Sequence, residues 1–197
     1  MLSHAHAVES VNRVNGLIDF LRRWDDKGEL KYKELRFSVA DGGNINLQGN
    51  SGCNESFLLT RWHPSFANSL EAGVRELVVR LVTAWDCVTY SSCEGHRSSA
   101  QVPARVRHVR LVSRSKAEHV RLGSMLKRLV DATNADIGDP GVRLAWKASV
   151  IVAEEGLEAP GLDLIFEPQS DDERVYWKYL DTSYQRCLLQ LSKESSQ

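Results

Sequence analysis

Within ten residues, Tyr90-Ser91-Ser92-Cys93-Glu94-Gly95-His96-Arg97-Ser98-Ser99, this chain places a thiol, a carboxylate, an imidazole, a guanidinium and four serine hydroxyls. A cysteine attacks as its thiolate, so its ordinary pKa of about 8.5 must be lowered by a cation, a base or a helix N-terminus. His96 and Arg97 are near enough in sequence to do this if the chain turns at Gly95, whereas Glu94 opposes it. An imidazole that titrates near neutral pH suits proton transfer. Backbone donors at a glycine turn, with hydroxyls and an arginine fork, suit a phosphate or a carboxylate. The expectation is a recess with Cys93 and His96 as catalytic residues. Ser91, Ser92, Gly95 and Arg97 would bind substrate, with His108 and Arg110 from the following strand. The blander alternative is a serine-glycine loop with a solvated imidazole.

Two other chemistries share these residues. Ser91-x-Cys93-x-Gly95 has the spacing of a nucleophile elbow, but an elbow must run into a helix. Here it runs into Ser98-Ser99-Ala100-Gln101-Val102-Pro103, which does not read as helical. Cys93-x-x-His96 offers two metal ligands that His63 or His108 could supplement. Structural zinc sites usually show two paired ligand clusters, and one is visible, so no metal is assigned. Neither a G-x-G-x-x-G after a strand nor a P-loop is present.

The elements that must position the motif follow from hydrophobic spacing. Val11, Val14, Leu17, Ile18, Leu21 and Trp24 predict a helix from about residue 7 to 25, within a helical segment 1–28. Leu35–Val39 and Ile45–Leu47 around Asp41-Gly42-Gly43-Asn44 predict a hairpin. Phe66, Leu70, Val74, Leu77, Val78, Leu81, Val82 and Trp85 predict one long helix. Cys87 to Cys93 then reads as a short strand that ends at the motif, and Val106 to Ser113 as a second strand.

Ser115-Lys116-Ala117-Glu118 is a capping-box pattern opening a helix. Val142 to Ala153 alternates, with Val142, Leu144, Trp146, Ala148, Val150 and Val152 on one face. After a turn at 156–161, Leu162, Leu164 and Phe166 alternate in a partner strand. A last helix spans about 171–192. Hairpin-paired strands with interspersed helices argue a single α+β domain over residues 1–197, a mostly antiparallel sheet with helices packed on it.

The chain has 197 residues, 42% hydrophobic and 26% charged, with a net charge of −1. This suits one soluble domain and gives no case for indiscriminate nucleic-acid or membrane attraction. No apolar run approaches the roughly 18 residues of a membrane span. The four cysteines, Cys53, Cys87, Cys93 and Cys187, form no C-x-x-C pair. They read as reduced thiols of a cytoplasmic protein, with Cys87 and Cys187 in the core.

The segment Thr89-Tyr90-Ser91-Ser92-Cys93-Glu94-Gly95-His96 resembles the Ser-Ser-Cys-Ser-Gly-Arg motif of the wybutosine-synthesis tRNA methyltransferase family. Ser91, Ser92, Cys93 and Gly95 match; Glu94 replaces a serine and His96 an arginine. The downstream order is also similar, with a histidine-bearing strand and then a helix opened at Ser115. The resemblance implies an α+β sheet fold, S-adenosylmethionine as methyl donor and modified tRNA as substrate. Arg97, Arg105, Arg107, Arg110, Arg114, Lys116 and Arg121 make residues 97–121 basic within a neutral chain. Such a strip can track phosphates or simply solvate a strand edge.

Two functions follow. One is a nucleotide- or RNA-directed enzyme or binding protein working at residues 91–97, with methyl transfer as a candidate reaction. The other is a non-enzymatic subunit that docks partner proteins through helices 7–25 and 171–191. In the latter, Tyr176, Trp177, Tyr179 and Tyr184 spread over more than one face, as interface aromatics do.

Overall fold

The computed structural model describes residues 11–14, 16–28, 58–99, 103–135, 141–153 and 156–194. The hairpin expected at residues 35–47 and Cys53 lie outside the described residues. The elements in chain order are β1 (Val11–Val14), α1 (Leu17–Arg23), α2 (Phe66–Ser69), α3 (Ala72–Trp85), β2 (Val88–Cys93), β3 (His108–Val112), α4 (Lys116–Ala135), β4 (Val142–Ala153), β5 (Glu158–Pro168) and α5 (Glu173–Glu194). The strands form one sheet in the order β1-β4-β5-β3-β2. β1 runs parallel to β4 and every other neighbouring pair is antiparallel. This is an α+β architecture.

Alternating apolar residues explain the sheet's covered face. Leu144, Leu162, Leu164, Phe166, Val109 and Leu111 are buried, as are Leu122, Leu126 and Leu129 of α4 and Tyr176, Leu180 and Tyr184 of α5. α4 and α5 pack on each other and on β4 and β5, while α3 packs on β2, β3 and α5. Cys87 and Cys187 are fully buried free thiols in this core. Burial pushes both up to about 12. No helix among the described residues is long and apolar enough to cross a membrane.

Four local expectations need correction. Val11–Val14 is an edge strand and not the start of a helix; α1 begins only at Leu17, after Gly16 at φ 70°. Pairing with β4 supplies hydrogen bonds that override the local spacing. The long helix predicted over 66–85 is two helices. Leu70 and Glu71 between them are extended, with ψ 139° and 140°, so the apolar stripe continues across a break. In β4, Val142 and Leu144 are buried, but toward its end Ser149, Ile151 and Ala153 are buried while Ala148 is exposed. The strand therefore buries opposite faces at its two ends. β5 starts at Glu158, inside the expected turn, because Glu158 pairs with Val152.

Helix ends are set by side chains. Ser115 Oγ accepts the Glu118 N–H at 3.1 Å, as the capping pattern predicts. The Glu118 carboxylate reaches back to the Arg114 N–H at 2.5 Å, one residue beyond an ordinary box. Arg114 also contacts Asp25 at 3.0 Å and Asp86 at 3.1 Å. Arg61 joins the same two aspartates. Asp86 caps α3 in a left-handed conformation, φ 51°. Burial pulls its carboxyl upward, but Arg61 and Arg114 outweigh this and hold it below its usual value.

Candidate functional site around Gly95

β2 delivers Cys93 to the edge of the sheet, opposite His108 in register. The chain does not turn back there, contrary to the reversal expected around Gly95: Cys93 opposite His108 and His96 opposite Arg105 keep one antiparallel register through it. Gly95 has φ 89°, a conformation that favours glycine. A Cβ there would stand 3.2 Å from the Arg107 N and from the Trp177 ring, and 3.3 Å from the Arg105 O. Past Gly95, His96 pairs with Arg105 through two backbone hydrogen bonds of 3.0 and 2.8 Å.

The N-terminus of α3 meets this segment. Glu71 is its N-cap residue, yet its carboxylate makes no cap bond within the helix. It accepts the Glu94 N–H at 2.6 Å through one oxygen, and the other lies 2.9 Å from His96 Nε2. Glu94 in turn accepts the Gly73 N–H at 2.7 Å and so caps α3 from the end of β2. The donor atoms of Glu71, Cys93 and His96 all lie within 4.8 Å of one another. Glu71 is 5% exposed and Cys93 7%.

The thiol is not poised for attack. Burial first, and the Glu71 carboxylate second, push Cys93 up to about 11. The Gly95 N–H donates to its sulfur at 3.4 Å and opposes this only in part. At neutral pH Cys93 is a thiol, so the expected Cys93–His96 catalytic pair lacks a preformed nucleophile.

The segment Cys93–His96 thus brings sulfur and imidazole near each other, but without the expected reversal of the chain and with Glu71 in place of Arg97. The Arg97 guanidinium points outward and stacks over the Trp177 ring, 5.1 Å from its centroid. Ser98 is tied beside it: its N–H and hydroxyl both donate to Glu173, at 3.1 and 2.7 Å. The Trp177 indole N–H donates to the same carboxylate at 2.7 Å. These donors, Ser98 first, lower the Glu173 pKa.

The guanidinium packed against this segment is Arg107, buried at 6% exposure. Its Nε donates to the Glu94 carbonyl at 2.8 Å, its Nη2 to Asp181 at 3.2 Å, and it lies over the Tyr184 ring. Its backbone N–H donates to the Tyr176 hydroxyl at 2.8 Å.

Ser91 and Ser92 are half-buried and pair in register with Arg110 and Val109 across a β-bulge. Arg110 turns to buried Asp163, at 3.6 Å. Ser149 also donates to Asp163, at 3.0 Å. His108 is half-buried, with Nδ1 3.1 Å from the Val106 carbonyl. Burial, then Arg110, lowers its pKa to about 4, so its ring is neutral. His63, weighed as a metal ligand, instead accepts the Ser65 N–H at 3.1 Å and shapes the entry to α2.

Four members of the basic strip are paired within the fold. Arg107, Arg110, Arg114 and Arg121 each face a carboxylate of the chain itself. The aromatics of α5 are likewise engaged within the fold. Tyr176 and Tyr184 are core residues whose hydroxyls accept the Arg107 and Leu77 N–H groups, and Trp177 and Tyr179 pack against the core.

Sequence reasoning missed Glu71, Trp177 and the internal role of Arg107. Glu71 lies far upstream, inside what reads as one helix, and no spacing rule connects it to Cys93. No protein-family model, curated protein or solved structure matches the chain.

Proposed function

We propose that this chain is a nucleotide- or RNA-directed binding protein whose ligand occupies the outer side of the segment His96–Ser98. The observation that carries this reading is the Arg97 guanidinium held over the Trp177 ring. A cation stacked on an aromatic, with its backbone pinned through Ser98 and Glu173, offers phosphate charge pairing and a face for a base. Beneath it, His96 is oriented by the Glu71 carboxylate. Where a proton must move, His96 is the group placed to move it, and Cys93 shapes the floor.

The test is fluorescence anisotropy with a labelled single-stranded RNA, and calorimetry with nucleoside phosphates, over a range of salt. Arg97→Ala should weaken binding about tenfold while the thermal midpoint stays put. An affinity unchanged in that variant, or no binding by the intact chain, sinks the reading. Methyl transfer is the finer activity that the family resemblance brings. Saturable uptake of S-adenosylmethionine in equilibrium dialysis supports it. Failure to bind that cofactor removes the transferase reading and leaves the binding one standing.

A further inference from the structure

We infer that Glu71, Cys93 and His96 form a mononuclear site for a zinc-class divalent cation. An oxygen, a sulfur and a nitrogen donor, from the start of α3, the end of β2 and the segment after it, lie within 4.8 Å of one another. This mixed set suits zinc and its tetrahedral relatives; a thiolate discriminates against magnesium and calcium, which take oxygen ligands. Three protein ligands leave a fourth position for water or a ligand, and the half-buried side of His96 gives access to it.

The spacing is close to what a metal needs. Bonds of about 2.0–2.1 Å at tetrahedral angles set a nitrogen-to-oxygen edge of roughly 3.3 Å. His96 Nε2 and Glu71 Oε1 are already 2.9 Å apart. The remaining donors close by about an ångström from the 4.8 Å bound.

The outer contacts are also in place. The Glu94 N–H holds the Glu71 oxygen that faces away from His96 and leaves the other for the metal. The Gly95 N–H donates to the sulfur. Such second contacts orient ligands and temper thiolate charge. Among the described residues, His96 is the one basic side chain within ion-pair distance of the Glu71 carboxylate. A buried carboxylate without a permanent cation is costly, and a bound dication removes that cost. On binding, the Cys93 S–H proton passes to solvent as the sulfur–metal bond forms. The proton at His96 Nε2, where that nitrogen carries it, leaves to Nδ1 or solvent as the lone pair coordinates.

This site does not depend on nucleotide binding, and its test uses none. The reduced, chelator-stripped full chain is titrated with Co²⁺ and then with Zn²⁺ as competitor. One equivalent should bind with a near-ultraviolet thiolate-to-cobalt band and the intense visible bands of tetrahedral cobalt, which Zn²⁺ abolishes. Cys93→Ser should remove the ultraviolet band. Glu71→Gln and His96→Ala should weaken binding at least about tenfold, while Cys187→Ala leaves it unchanged. No ultraviolet band from the intact chain, or one that survives Cys93→Ser, overturns the assignment. The intact chain's spectrum decides even where a variant fails to fold.

Discussion

Glu71 and Glu94 exchange backbone contacts: the Glu71 carboxylate accepts the Glu94 N–H at 2.6 Å, and the Glu94 carboxylate accepts the Gly73 N–H at 2.7 Å. Residues 23 positions apart thereby do what a capping box does within one helix turn. The start of α3 and the end of β2 are fixed to each other, and His96 is fixed to both through Glu71.

Gly73 makes that exchange possible. In an ordinary helix, Gly→Ala gains roughly 0.5–1 kcal/mol. Here an added Cβ would meet Glu94 Oε2 at 2.9 Å, Glu94 Cβ at 3.0 Å and Arg107 Nη2 at 3.2 Å. Gly73→Ala should therefore reverse sign and cost about 1–2 kcal/mol, the worth of a lost cap plus crowding. Urea denaturation measures it. A stabilised variant would show that the Glu94 cap contributes nothing.

Gly95 and Gly156 provide a matched pair. Both have positive φ, 89° and 75°, but a Cβ meets backbone at Gly95 and nothing within 4 Å at Gly156. Gly156→Ala should cost only about 1 kcal/mol from the left-handed backbone. Gly95→Ala should cost at least about 1–2 kcal/mol more, because Arg105 and Arg107 cannot give way without disrupting the His96–Arg105 pairing. Equal costs in thermal and urea unfolding would contradict the close approach.

Much of this framework is legible in the sequence, and the misses have physical causes. The strand before Cys93, the capping serine at 115 and the alternation over Leu162–Phe166 are local signals, and each element forms where expected. Val11 and Val14 share helical spacing with α1, yet pairing with β4 draws them into the sheet. Phe66, Leu70 and Val74 keep a helical stripe across a break because successive helices can share one buried side. Gly95 is legible as a special backbone position, with φ 89°, but the reversal expected there does not form because the pairing with the following strand runs on to His96 and Arg105. The contact with Glu71 is not legible, since only tertiary packing brings α3 to the end of β2.

Cys93 should be a slow thiol in the folded chain. With its pKa pushed up to about 11, against about 8.5 for a free cysteine, the thiolate fraction at neutral pH falls roughly three-hundredfold. Iodoacetamide labelling followed by peptide mass mapping should find Cys93 at least that much slower in native buffer than in urea. Rapid native labelling would contradict the buried thiol.

His108 gives the fold a pH dependence. Its pKa is lowered to about 4 when folded, against about 6.5 when unfolded. The unfolded chain therefore binds the extra proton between these values. Stability from this group is complete above about pH 6.5, is lost as the pH falls toward 4, and levels off below. The slope is at most about 1.4 kcal/mol per pH unit for one proton, and less for a half-buried ring. Urea midpoints from pH 7 to 4.5 should fall less steeply in His108→Gln; identical slopes would place the ring in contact with water.

Asp25 follows α1, Arg61 precedes α2, Asp86 ends α3, and Arg114 stands between β3 and α4; all four meet in one ionic junction that Glu118 completes. Removing Arg114 alone would leave three anions sharing Arg61 and the outlying Arg121. Four distant stretches of chain are thus co-dependent at a single point, and a designer who wishes to recharge this surface must exchange the whole set together.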